Sequence, residues 1–136
     1  MTIHPSHPSP RLTCVASVAA PDDTVTAMIY RHTESTGSGP GLVVITVDGD
    51  VDHDTAPYLD RVLRRTVASG QPVCCDLSRT GFFGSAGARV VAGAATTGGT
   101  FSIRGARKII RRTLETAGVD CRSATAPRQR PRYRKG

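Results

Sequence analysis

The chain has 136 residues, which is room for one domain with tails and not for two. Its hydrophobic share is 38%, and residues 1–23 and 121–136 read as holding little that could enter a core, so the core is expected from the middle. Net charge is +7, but Arg122, Arg128, Arg130, Arg132, Arg134 and Lys135 crowd into the acid-free final stretch, so the basic balance belongs to a tail and excludes a generally basic, nucleic-acid-coating domain.

In chain order, residues 1–23 read as a flexible lead-in, with Pro5, Pro8 and Pro10 and no apolar signal-peptide core. Thr24 to Tyr30 alternates Val25, Ala27 and Ile29 with Thr26, Met28 and Tyr30, the period of a strand. Thr33 to Gly41 has loop chemistry. Leu42 to Val47 is a β-branched run that suits a strand covered on both faces. The short connection predicts a hairpin between these two strands.

Asp48, Asp50, Asp52 and Asp54 follow at alternate positions. A calcium loop is excluded, because the sixth position is His53 where glycine is needed and the twelfth is Leu59 where a bidentate glutamate is needed. The aspartates instead lead into a helix capped by Asp54 or Thr55, with Pro57 in its first turn. Leu59, Val62, Leu63, Thr66 and Val67 form its apolar stripe, and Gly70 ends it.

Val73 to Leu77 is the next strand, parallel to the one before it because a helix makes the crossover. Ser85 then stands at a strand-to-helix turn among small residues. Its hydroxyl is placed to cap the helix, whose N-terminus favours a phosphate. Gly98-Gly99 stops that helix. Phe101 and Ile103 mark another strand, and Ala106 to Ala117 a last helix ended by Gly118.

The expected order is β-β-α-β-α-β-α: an α/β domain over 24–120, with a mixed, mostly parallel four-stranded sheet and packed helices. A flexible segment (1–23) precedes it and a basic tail (121–136) follows. In such sheets function gathers at the carboxyl ends of the strands. That brings the acidic corner, Asp50 to Thr55, beside the corner from Phe82 to Gly87.

Enzyme readings find little support. Phe83 occupies the first glycine position of a G-x-S-x-G elbow around Ser85, and no P-loop is present. Cys14, Cys74, Cys75 and Cys121 form no C-x-x-C pair and read as free thiols in a reducing cytosol. No apolar run is long enough to cross a bilayer.

Three segments carry a resemblance. Val47 to Ala56 resembles the G-x-[LIV]-D-x-x-[TS]-[AV] segment of STAS domains, the domains of anti-sigma factor antagonists. Asp76-Leu77-Ser78 followed by Phe82-Phe83-Gly84-Ser85-Ala86-Gly87 resembles their D-L-S…F-[ILM]-D-S-[ST]-G segment. Gly105 to Asp120 resembles their closing helix. The resemblance implies a protein that binds an anti-sigma factor, itself a serine kinase with a GHKL-type ATP site, and is released by phosphorylation. A phosphatase then resets it.

Carried over, the phosphoacceptor is Ser85, and the partner surface comprises Asp50, Asp52, His53, Thr55, Gly84, Ala86, Gly87 and Ala88. No cofactor, metal or catalytic residue is implied. The location is the cytoplasm, direct nucleic-acid binding is not expected, and the basic tail suits an acidic partner. The chain departs from the pattern at Gly84, where aspartate is usual, and at Ala86. The alternative is a degenerate STAS module that binds a nucleotide, a small anion or another regulatory protein without being phosphorylated.

Overall fold

The computed structural model describes residues 12–37, 39–97, 99–119 and 121. The strands are β1 (Thr13–Ala19), β2 (Val25–Glu34), β3 (Leu42–Val51), β4 (Val73–Asp76), β5 (Thr80–Phe83) and β6 (Phe101–Arg104). The helices are α1 (Ala56–Ala68), α2 (Ser85–Ala95) and α3 (Lys108–Thr116). They build one sheet in the order β1-β2-β3-β4-β6, with β5 also pairing β3. The β1/β2 and β2/β3 pairs are antiparallel; β3/β4, β3/β5 and β4/β6 are parallel. The α/β class, the mixed sheet and the β2–β3 hairpin are those read from the sequence.

Two strands go beyond that reading. Thr13–Ala19, assigned above to a flexible lead-in, pairs with β2 as an edge strand. Its apolar residues Cys14, Val15, Ala16, Val18 and Ala19 do not alternate with polar ones, and only Val18 is buried, so the period of a half-buried strand is missing. Thr80–Phe83, given no element above, forms β5. Strand β2 also runs on to Glu34 and β3 to Val51, so the acidic residues Asp48 and Asp50 lie within a strand. The remainder of the expected lead-in before Leu12, and the basic tail beyond Cys121, lie outside the described residues.

One sheet face supplies Ile29, Val43, Ile45, Val47, Val73, Cys75 and Phe101 to the core. Against them pack Leu59 and Leu63 of α1, Ala88 and Val91 of α2, and Ile110 and Leu114 of α3. Small residues in α2 let it approach the sheet closely. A Cβ on Gly87 would fall 2.7 Å from Val51 Cγ1 and 3.0 Å from Phe83 Cε1.

The opposite face is held by an ionic chain. Arg104 on β6 reaches across β4 and β3 to Glu34 on β2, with bonds of 3.0 and 2.7 Å, and also meets Asp76 at 3.0 Å. His32 lies 3.0 Å from the same Glu34 carboxylate. The strands crossed carry the buried Val44 and Cys74. Arg104 foremost, then His32, holds the Glu34 carboxyl down at about 2. Cys74 and Cys75 point to opposite faces as neighbours in a strand must, and burial raises both thiols.

Candidate docking rim

The second half of β3 has its own partner. Strand β4 pairs with Val43 to Thr46, and β5 takes over from Gly49 to Val51 on the same flank. The Thr80 hydroxyl donates to the Val47 carbonyl at 3.0 Å, and the Gly49 amide donates to the Arg79 carbonyl at 3.2 Å. The Phe82 amide donates to Asp50 Oδ1 at 2.9 Å. The Gly84 amide then donates to the Val51 carbonyl at 3.1 Å. Asp52 and Ser85 are each the next residue after this bonded pair, so the two corners leave the sheet side by side.

At the first corner, Asp52 Oδ1 accepts from the amides of Asp54 and Thr55, each at 3.0 Å, and from the Thr55 hydroxyl at 3.2 Å. The Thr55 amide, aided by the Asp54 amide and the Thr55 hydroxyl, holds the Asp52 carboxyl below its ordinary value despite some burial. The expectation that Asp54 or Thr55 caps α1 is corrected: Thr55 is the boundary residue but makes no side-chain cap, and Asp52 does the tethering. His53 is exposed, 3.5 Å from Asp54. Between this corner and the β1–β2 turn runs a groove of about 510 Å³, lined among others by Val18, Pro21, Asp52, Asp54 and Tyr58.

At the second corner, the N-cap is Gly84 in extended backbone, and Ser85 is the first helical residue. The expected capping role of Ser85 is therefore corrected. The hydroxyl is exposed, and no hydrogen bond to it is present among the described residues. The amides of Ser85, Ala86 and Gly87 precede the first intrahelical bond, from the Ala88 amide to the Gly84 carbonyl at 3.1 Å. They make this end of α2 electropositive.

Three residues assigned to the contact surface are buried instead. Thr55 is turned inward to Asp52, Gly87 lies against Val51 and Phe83, and Ala88 belongs to the core. Asp50, His53 and Ser85 are exposed, and Asp52, Gly84 and Ala86 are half-buried. Phe82, absent from that assignment, is 56% exposed beside Ser85. Strand β5 is buried at Thr80 and Phe83 and exposed at Gly81 and Phe82, a pattern without alternation that gives no sequence signal to separate the two phenylalanines.

Among the described residues, no group of three or more His, Cys, Asp and Glu side chains is placed to hold a metal ion. No helix among them is long and apolar enough to cross a membrane.

A mixed sheet covered by helices on one face, with this acid-and-hydroxyl rim at the ends of β3 and β5, is the architecture of a STAS fold. The family profile described as "Mlab, STAS domain" matches residues 35–121, and the chain belongs to this family. Among solved structures, an anti-sigma factor antagonist from Mycobacterium paratuberculosis is similar, with a TM-score of 0.59 and 26% sequence identity over 81% of this chain and 88% of that one. No curated protein matches the sequence.

Proposed function

We propose that this chain is an anti-sigma factor antagonist that docks through the Asp52–Ser85 rim and is switched by phosphorylation of Ser85. The partner in this reading is an anti-sigma factor that is also a GHKL-type serine kinase. It supplies ATP and magnesium, so the antagonist needs no chemistry of its own. A phosphatase restores the free hydroxyl, and the cycle runs in the cytoplasm. The observation that carries the reading is the Gly84–Val51 hydrogen bond, which puts an exposed serine next to a fixed carboxylate. The likeness to a solved antagonist supports it.

The switch has a physical basis. Phosphorylation adds about −1.5 to −2 charges at neutral pH. The new anion sits on the α2 N-terminus, which tolerates it. The same charge adds to that of Asp50 and Asp52 and must be desolvated when the partner covers the rim, so binding weakens.

The test uses each serine-kinase anti-sigma factor encoded in the source genome, purified and mixed with the full chain and magnesium ATP. Intact-protein mass spectrometry should show one phosphate on the wild type and none on Ser85→Ala, and the phosphorylated form should bind more weakly by calorimetry. Binding without any phosphate transfer would leave an antagonist that is not switched at Ser85. Absence of binding to the whole set would end the proposal.

A further inference from the structure

We infer that Phe82 is the anchor of the docking rim, and that the partner protein receives its ring in an apolar pocket; this rests on the reading above. Of the chain's phenylalanines, Phe83 and Phe101 are buried, while Phe82 presents 56% of its surface to water. An exposed ring on a loose loop would mean little. Here the backbone beneath it is clamped on every side.

The Thr80 hydroxyl is tied to Val47, the Phe82 amide to Asp50 and the Gly84 amide to Val51. The Arg107 guanidinium donates to the carbonyls of Thr80 and Gly81 from the approach to α3. Four of the five residues from Thr80 to Gly84 are thus held, and the one at the centre of the stretch carries an uncovered phenyl group.

The ring also lies on the serine corner. A Cβ built on Gly84 would come within 3.0 Å of Phe82 Cε2 and 3.1 Å of Cζ. Glycine at 84 leaves the ring room to rest against the backbone that leads into Ser85. A body that reaches the hydroxyl must therefore meet the ring as well.

Aromatic side chains on rigid mounts dominate binding energy at protein interfaces, because they bring large apolar area at little conformational cost. The acids at the neighbouring corner, Asp52 and Asp54, define the rest of the match: an apolar pocket with cationic groups to one side.

The experiment titrates the purified serine-kinase anti-sigma factors of the source genome against full-length wild type, Phe82→Ala and Phe82→Leu. Thermal melts of all variants run in parallel. The expected result is a loss of roughly thirtyfold or more for Phe82→Ala, as for a truncated hot-spot aromatic. Phe82→Leu should recover part of it, and Phe82→Ala should melt within a few degrees of wild type. If a kinase binds wild type and Phe82→Ala within threefold of each other, the anchor is refuted while the antagonist reading stands. If no kinase binds wild type, both fall together.

Discussion

Asp50 and Phe82 are joined by a hydrogen bond of 2.9 Å from the Phe82 amide to Asp50 Oδ1, a β3 side chain accepting from β5 where a ladder carbonyl of β3 would otherwise do so. Asp50→Ala should therefore loosen β5 without unfolding the domain. The expected loss is about 1 kcal/mol, the usual worth of one such bond. Urea denaturation would measure it, and amide exchange should accelerate at Phe82 ahead of the core strands.

Asp52→Ala removes the acceptor for three donors before α1. A cost of about 1 kcal/mol is expected, with most of it recovered by Asp52→Asn. Because the folded carboxyl sits below its ordinary value, the wild-type advantage is full above the unfolded carboxylate value and fades as pH falls through the folded one. Comparing denaturation midpoints of wild type and Asp52→Ala from neutral to acid pH would reveal any departure from that sign.

The ionic chain on the open sheet face has its own acid limit. Glu34 is held at about 2 against a reference of 4.5. Its contribution is complete above the reference value and is lost as pH falls from there towards the folded value. Glu34→Gln should be less stable than wild type at neutral pH, and the two curves should converge in that window. Parallel curves throughout would show that the Arg104 pair does not stabilise the fold.

Two glycines of α2 should respond in opposite directions. Gly93 has open space where a Cβ would go, so Gly93→Ala should stabilise by about 0.5–1 kcal/mol through helix propensity. Gly87 faces Val51 Cγ1 at 2.7 Å from the built Cβ, and the overpacking cost of about 1–3 kcal/mol should exceed that gain. Melting temperatures of the two single variants would settle the order.

Much of this layout was legible in the amino acids. The stripe from Leu59 to Val67 and the run from Leu42 to Val47 mark α1 and the core of β3, because deep burial leaves a strong periodic trace. Strand β1 leaves none, since its apolar residues run together from Cys14 to Ala16 without alternation and only Val18 of the strand is buried. Strand β5 was hidden for another reason. It is held by Asp50, Val47 and Arg107, all distant in sequence, and nothing local announces it. The expected strand ends set the Asp52 and Ser85 corners side by side, and the resemblance assigned contact roles to both, Thr55 and Ala88 included. It could not tell that Thr55 and Ala88 face inward, because burial depends on neighbours that a short motif does not contain.

The succession of β4 and β5 along one flank of β3 bears on how fast and how firmly a visitor can hold on. In the proposed antagonist the Asp52 corner leaves β3 and the Ser85 corner leaves β5, which pairs with β3, so neither has to be recruited from a disordered ensemble at the moment of encounter. The entropy of arranging them is spent during folding, and association is left with rigid-body costs alone. A complex built this way is expected to form without a slow isomerisation step, so that its lifetime is decided chiefly by how quickly the two surfaces part.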